Sequence, residues 1–427
     1  MEILSSYNLI IGSSLIIILS FIFGEVSRKT NIPSVLMLIV LGILLKFGLD
    51  SLGVGYINFF PVLEVLGIVG LIMIVLEAAL ELKLEKGKYI AIAKAMLIAL
   101  IGLLASAWVA ALILHRFVPD MPMDKAWLYA TPLSILSSAI IIPSVSGMKE
   151  KKKEFHIYES TFSDIMGIML FYFLTGQMDA AENANGLLGF GSNVLLTIAL
   201  SLVAGYLIIL VFQNIRSHTK LFLLIAVLLL FYSLGKKMHL SSLIIILIFG
   251  LLIANMELFF RGKLGEWLHV EKANNIYEGL HIITMETAFV VRTFFFVIFG
   301  ITISLASLAN TDVAVVSLLI ILSIYIIRYV ILRLFLGRDI FPQLFIAPRG
   351  LITILLFYAI PESAKVEGFE PGILLFIIIG TSLIMTAAMV YDKSRAGRAI
   401  EKAKSVPVGM AKWKAPSVEE IAAQEKG

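Results

Sequence analysis

The chain has 427 residues, of which 59% are hydrophobic and 15% are charged, and its mean hydropathy is +0.98. This composition excludes an ordinary soluble globular protein and is typical of a polytopic membrane protein. The formal net charge of +4 then belongs to the loops and ends of the chain rather than to a nucleic-acid surface, and the lack of cysteine excludes disulfides, thiolate metal sites and cysteine nucleophiles.

Apolar stretches long enough to cross a bilayer as helices recur along the whole chain. The first begins at Tyr7 and is long enough to span, so we interpret it as a transmembrane helix rather than a cleaved signal peptide. The thirteen predicted spans cover residues 7–24, 32–49, 61–82, 89–114, 126–147, 157–178, 187–214, 219–235, 240–260, 276–306, 313–336, 340–362 and 371–392.

Lysine and arginine are distributed unevenly between the two sides that these spans define. If the N-terminus is outside, 25 of the 34 basic residues fall in inside segments and six in outside segments. Cytoplasmic loops carry such an excess, so the distribution predicts an odd number of spans, with the N-terminus outside and the C-terminus inside. The three remaining basic residues lie within predicted spans and are Arg292, Arg328 and Arg349.

Thirteen spans can be divided into six, a linker and six. In inverted-repeat transporters, interrupted helices occur at matching positions of the two halves. Here the fifth helix of each half contains helix breakers, because helix 5 has Pro132 and Pro143 and helix 12 has Pro348 and Gly350. Unwound carbonyls at such breaks can coordinate a cation in the middle of the membrane. We therefore predict an all-α membrane protein of two inverted six-helix repeats, with crossed broken helices 5 and 12.

The sixth predicted span contains two carboxylates, Glu159 and Asp164, although an ionised side chain is costly inside a bilayer. The pattern Glu159-Ser160-x-x-Ser163-Asp164 resembles the signature helix of the cation:proton antiporter superfamily, where the sodium/proton exchanger branch has Glu-Ser-x-x-Asn-Asp. The resemblance extends in the family's order from about residue 24 to residue 392. Its other matching segments are Asn31–Gly42, Leu80-Glu81-Leu82, Phe294–Gly300 and Pro348-Arg349-Gly350.

The resemblance implies a role for each charged residue of the predicted site. Asp164 is expected to bind Na⁺ and H⁺ in turn and to be the metal ligand. Glu159 and Arg328 are expected to form a structural ion pair, and Arg349 is expected to offset the negative ends of the broken helices. Arg292 lies on helix 10, where one branch of the superfamily has glutamate and another has lysine.

Three serines complete the predicted cation and proton site. Ser163 stands where the family has asparagine, or aspartate in its two-carboxylate branch, and its hydroxyl can still ligate or orient. Ser137 and Ser138 lie in helix 5, where the exchangers have Asp-Pro and where this chain is closer to the potassium-efflux branch. The resemblance therefore implies Na⁺/H⁺ antiport by alternating access, with K⁺/H⁺ antiport as the alternative.

A single ionisable carboxylate at the site predicts electroneutral exchange of one cation for one proton. Ser163 cannot carry a second proton, and the guanidinium of Arg292 stays protonated at physiological pH. Another interpretation makes Asp164 a structural acid that is neutralised by Arg292.

Several further interpretations stay open at this point. Glu77 and Glu81 either line a cytoplasmic funnel that concentrates cations or belong to a solvated helix end, and His156 either tunes the pH response or is a solvated loop histidine. An intramembrane aspartyl protease would need a second aspartate within a span, and a Na⁺-coupled solute symporter would need a larger polar cavity. We predict neither an enzyme nor a cofactor.

The predicted organisation is a membrane transport domain over residues 1–392, followed by a cytoplasmic tail over residues 393–427. We expect a multi-pass protein of the cell membrane whose partners are monovalent cations, protons and lipids, without nucleic acid. The resemblance implies a homodimer, because relatives typically dimerise through the first-half helices outside the ion-binding core. The predicted core lies near residues 89–178 and 313–392, the dimer scaffold near 7–82 and 187–260, and helix 10 near 276–306.

Overall fold

A computed structural model of the chain describes residues 6–30, 32–51, 60–84, 87–145, 147–180, 186–215, 220–237, 242–260, 269–302 and 310–405. Within these residues every regular element is helical, which confirms the predicted all-α class. The α-helices are α1 Ser6–Thr30, α2 Ser34–Ser51, α3 Phe60–Glu81, α4 Tyr89–Phe117, α5 Met123–Ser134, α6 Ser138–Ser144, α7 Glu150–Ala180, α8 Gly186–Phe212, α9 Lys220–Lys237, α10 Ser242–Ala254, α11 Met256–Phe259, α12 Val270–Thr302, α13 Thr311–Leu336, α14 Leu351–Tyr358 and α15 Gly372–Ser405.

These helices group into the thirteen predicted spans. Helices α5 and α6 form one interrupted span, α10 and α11 form another, and the short 3-10 helix Gln343–Phe345 precedes α14 in a third. Among the described residues, eight helices or helix pairs are long enough and apolar enough to cross a membrane. Because a single span separates two sets of six, the second set enters the membrane from the opposite side. The two broken spans are therefore the fifth members of inverted halves.

Several helix ends differ from the predicted spans. Helix α12 begins at Val270, six residues before the predicted span, and α7 begins at Glu150, so that His156 lies in a helix rather than in a loop. Helix α15 continues to Ser405 with no end at residue 392, while residues 406–427 of the predicted tail lie outside the described part of the chain. Hydropathy identifies the stretch that suits lipid, whereas polar residues with good helix propensity extend a helix beyond it.

The helices pack in two groups. Helix α4 packs extensively against α5, α7 and α13, while α5 and α6 also contact α7 and α13 contacts α15. Helix α12 makes its largest contacts with α2 and α3, and α10 joins this group through α3 and α8. Contacts between α3 and α7 connect the two groups. The functional residues described below lie in the first group and along this connection.

Helices α2 and α12 touch backbone to backbone at Gly42 and Gly300. A Cβ added to Gly42 would lie 2.9 Å from the Cα of Gly300, and one added to Gly300 would lie 3.0 Å from the Cα of Gly42. Each added atom would also meet a carbonyl oxygen of the facing helix, from Val297 or from Ile39. The two backbones can therefore approach this closely because both positions are glycine.

Candidate functional site

The two broken spans cross at their non-helical segments. In the first span, α5 contains Pro132 and ends at Ser134, and α6 begins at Ser138. In the second, Pro348 disfavours helical backbone at the residue before it, and α14 begins only after Gly350. The backbone N–H of Ser137 donates a hydrogen bond of 3.0 Å to the carbonyl of Pro348. The two breaks are thus joined directly through their backbones.

Asp164 lies on α7 beside the first break and is only 1% exposed. Its Oδ2 accepts a hydrogen bond from the backbone N–H of Ser138 at 3.3 Å. Its Oδ1 is buried and has no hydrogen-bond partner among the residues that the structure describes. A buried carboxylate is costly unless its charge is neutralised, so this oxygen is available for a proton or a cation.

Ser163 supports the same break from the neighbouring position on α7. Its Oγ accepts a hydrogen bond of 3.0 Å from the backbone N–H of Leu136, which the interrupted helix leaves without a helical partner. The hydroxyl therefore fixes the backbone of the break at Leu136. Its second lone pair can still bind a cation. The structure places Ser163 and Asp164 of α7 beside Ser137 and Ser138 of the first break.

Arg349 is 2% exposed and lies within the second break. Its Nε donates to the carbonyl of Leu133 at 2.7 Å and its Nη1 donates to the carbonyl of Ala347 at 3.0 Å. Its backbone N–H donates to the Thr381 hydroxyl at 3.0 Å. The sequence predicts that Arg349 offsets the negative ends of the broken helices. Among the described residues its side chain pairs with no carboxylate and hydrogen-bonds one carbonyl at the end of α5 and one in the second break, so its positive charge lies between them.

Glu159 and Arg328 form a buried bidentate ion pair between α7 and α13. The two oxygen-to-nitrogen distances are 2.8 and 2.9 Å. Arg328 also donates from Nε and Nη2 to the carbonyl of Gln343, at 3.1 and 3.0 Å. The pair therefore ties α7 and α13 to the turn that leads into the second break. Bidentate geometry with additional hydrogen bonds is what makes a buried pair tolerable.

Arg292 pairs with Glu77 of α3, with 2.9 Å between Nη2 and Oε2. The interpretation in which Arg292 neutralises Asp164 is therefore wrong for this structure. Helix α3, which carries Glu77 and Glu81, nevertheless contacts α7, the helix of Asp164. The end of α3 is held in place by Asn255, whose side chain donates to the carbonyl of Leu82 at 2.8 Å.

A cavity lies beside the crossing, between α4, α7 and α13. Its volume is about 30 Å³, which suits one or two water molecules rather than an organic substrate. Its polar lining consists of Ser106, Ser134, Glu159, Ser163, Arg328 and Arg349. The size of this cavity gives no support to transport of an organic solute.

Some residues of the site could not be found by sequence patterns. Thr381 and Gln343 act through one hydroxyl and one carbonyl, and neither residue type is distinctive in a membrane helix or a turn. The Glu77–Arg292 pair had a usable signal, because opposite charges within spans usually pair with one another. No group of three or more carboxylate or histidine residues that could hold a metal occurs within the described ranges.

Comparison with known proteins gives consistent results. The family described as sodium/hydrogen exchanger, transmembrane, matches residues 15–390. A structure of the sodium proton antiporter MjNhaP1 from Methanocaldococcus jannaschii at pH 8 is similar with a TM-score of 0.66 and 20% identity, covering 91% of this chain and all of that one. An electron-microscopy structure of the same antiporter gives a TM-score of 0.62 and 19% identity over 97% of this chain and all of that one. No curated protein matches the sequence.

Proposed function

Because the chain belongs to the sodium/hydrogen exchanger family of multi-pass membrane antiporters, we propose that it exchanges one Na⁺ for one H⁺ and that Asp164 binds the two ions in turn. Antiport of Na⁺ and H⁺ follows from the family. The residue that carries the ions and the one-for-one ratio are the proposed parts. Na⁺ and H⁺ are then substrates of the site.

The observation that carries the proposal is the position of the Asp164 carboxyl. It is buried at the crossing of the two breaks, with one oxygen held by the Ser138 amide and the other unpartnered within the described residues. In such surroundings a bare carboxylate is unfavourable, whereas a protonated or cation-bound one is not. Competition of Na⁺ and H⁺ for this group would couple their movements, since neither ion can be carried while the other occupies it.

The surrounding residues are proposed to support this exchange without carrying ions themselves, apart from the serine oxygens. Ser137 and Ser138 would offer hydroxyl and carbonyl oxygens of the first break to the cation, and Ser163 would offer its hydroxyl from α7. Arg349 would balance the carbonyl ends of both breaks, and the Glu159–Arg328 pair would hold α7 in position.

Measurement of ion-dependent pH changes in proteoliposomes tests the function directly. A proton gradient is imposed on sealed vesicles, and its dissipation is followed after addition of Na⁺, Li⁺ or K⁺. We expect dissipation with Na⁺. Dissipation with K⁺ and none with Na⁺ would identify a K⁺/H⁺ antiporter instead, and no response to any of the three would contradict cation exchange.

We predict that exchange moves no net charge. Asp164 with Na⁺ and Asp164 with H⁺ have the same charge, Ser163 does not ionise, and Arg292 stays protonated and paired with Glu77. The exchange rate should therefore be nearly the same with and without a membrane potential clamped by K⁺ and valinomycin. A transient current on a solid-supported membrane that grows with Na⁺ would contradict the one-for-one ratio.

We predict that Gly350→Ala slows exchange strongly. A Cβ at Gly350 would collide with the Ser137 Oγ and lie 2.9 Å from the Ser137 Cβ, so the two breaks would have to separate. A displacement of about 1 Å at a reacting site can cost about a hundredfold in rate. The matched control is Gly102→Ala, where the nearest side-chain atom would be 3.9 Å away. Equal rates for the two variants would show that the close crossing is not required.

We further propose the domain organisation that the sequence predicts. The core would comprise residues near 89–178 and 313–392, and the scaffold residues near 7–82 and 187–260. Helix α12 would join the scaffold, because its largest contacts are with α2 and α3. We also propose a homodimer through the scaffold, where apolar side chains such as Ile10 on α1 and Leu195 on α8 are exposed to lipid or to a second copy.

We propose a location in the cell membrane, and the asymmetry of basic residues supports an orientation with the N-terminus outside and the C-terminus in the cytoplasm. The chain has no cysteine. Single cysteines introduced at the two ends can therefore be labelled with an impermeant reagent in whole cells to measure this orientation.

A further inference from the structure

His156 is a fully buried histidine that the exchange mechanism does not use. It lies on α7 one turn before Glu159, and its side chain is 0% exposed. Its Nδ1 is 3.3 Å from Oε2 of Glu159, and neither ring nitrogen makes a hydrogen bond of good geometry to another described residue. Buried polar atoms in this state are uncommon, so each requires an explanation.

The charges around His156 are already balanced. Within the described residues the charged groups that act on it are Glu159 of its own helix, Arg328 of α13 and Lys152 one turn earlier on α7. Glu159 is paired with Arg328 at 2.8 Å, and Lys152 is paired with Asp339 at 2.9 Å. This arrangement contains no surplus negative charge for an imidazolium.

Proton binding at His156 would therefore change the balance of the cluster. A protonated ring would place a second cation beside Arg328 and would compete with it for the Glu159 carboxylate. The buried environment of His156 suits the neutral ring and disfavours the protonated one. Lowering the pH therefore shifts the population towards a conformation in which the ring is exposed to water.

We propose that His156 is a second proton-binding site, separate from the transport site, and that proton binding there loosens the Glu159–Arg328 pair and lowers the maximum rate of exchange. The route to the transport site is short, because Arg328 also donates to the carbonyl of Gln343 in the turn before the second break. This inference rests on the proposed function for its effect on exchange, but not for its effect on the fold.

Protons also compete with Na⁺ at Asp164, and the two effects can be separated. Competition at Asp164 raises the Na⁺ concentration that is needed for half-maximal rate, and saturating Na⁺ removes it. Proton binding at His156 lowers the rate at saturating Na⁺, because the two ions do not share that site. The pH dependence of the maximum rate is therefore the informative quantity.

The first measurement is the maximum exchange rate at saturating Na⁺ in proteoliposomes between about pH 8 and about pH 5.5, around the usual titration range of histidine. For the wild type we expect a fall at the acid end, of at most about tenfold per pH unit for one proton. His156→Asn and His156→Gln should abolish this fall and keep the rate at pH 8. The control is His115→Asn, whose ring lies at the far end of α4 next to the carbonyl of Met121. It should behave like the wild type.

The second measurement is the thermal unfolding temperature of the purified protein over the same pH range, which does not depend on transport. The wild type should lose more stability towards acid than either His156 variant. Parallel pH dependence of wild type and both variants, in rate or in unfolding temperature, would overturn the proposal. If the wild type did not exchange Na⁺ at all, the unfolding comparison would still decide the role of His156, so the two failures are distinguishable.

Discussion

Replacing Asp164 with asparagine is expected to abolish exchange while leaving the protein folded. Asparagine has almost the same shape and can still accept the hydrogen bond from the Ser138 amide. It can neither release a proton nor balance a cation, so neither half of the exchange cycle can proceed. Loss of the proposed ion-carrying group should reduce the rate by about a hundredfold to about ten-thousandfold, the range typical of positioned proton-transfer groups.

The measurement is Na⁺-dependent dissipation of a proton gradient, combined with thermal unfolding of the same preparation. Asp312→Asn is the matched control, because it makes the same chemical change at an exposed position in the first turn of α13. The control should exchange at the wild-type rate. An Asp164→Asn variant that exchanged Na⁺ as fast as the wild type would refute the assignment of the ion-carrying group.

Removing one partner of the Glu159–Arg328 pair is expected to lower the free energy of unfolding strongly. Glu159→Ala would leave the guanidinium of Arg328 buried without its counter-charge, and Arg328→Ala would do the same to the carboxylate. Uncompensated buried charges of this kind cost about 3–5 kcal/mol. Both variants should therefore unfold at clearly lower temperature than the wild type.

A double variant gives the sharper form of this test. Replacing both residues removes both charges, so Glu159→Ala combined with Arg328→Ala should be more stable than the sum of the two single effects predicts. Arg333→Ala is the control, because Arg333 is exposed near the end of the same helix. If Glu159→Ala and Arg328→Ala melted like that control, the pair would have no structural role.

Much of the fold could be predicted because a bilayer simplifies the problem. Long apolar stretches have to be helices, and proline and glycine mark where a helix is interrupted, so the thirteen spans and the breaks in the fifth and twelfth were accessible from the sequence. The ends of α7, α12 and α15 were not, because polar helix formers extend each helix beyond its apolar part. The apolar part of a membrane helix is thus easier to predict than its full length.

The residues of the site also differ in how well the sequence predicts them. Its charged residues were identifiable, because each is costly in a membrane and therefore conspicuous. Their partners were less accessible, since Glu77 and Arg292 are 215 positions apart and only the tertiary structure brings them together. The burial of His156 was missed for the same reason, because it depends on how distant parts of the chain pack against the start of α7 and not on the local sequence.

The backbone contact between Gly42 and Gly300 bears on which parts of the molecule can slide. Shear between packed helices is accommodated by side chains that change rotamer, and here there are none between the two main chains. Helices α2 and α12 are thus expected to move together as one rigid body. The proposed exchange requires that Asp164 be exposed to the two sides in turn, and we expect the movement that does this to occur where side chains alone separate the helices. Helices α3 and α7 contact each other less extensively than α2 and α12 do, and we call their interface the seam. A bulky residue at Gly42 should therefore damage assembly of the protein, whereas one along that seam should leave the fold intact and arrest the cycle.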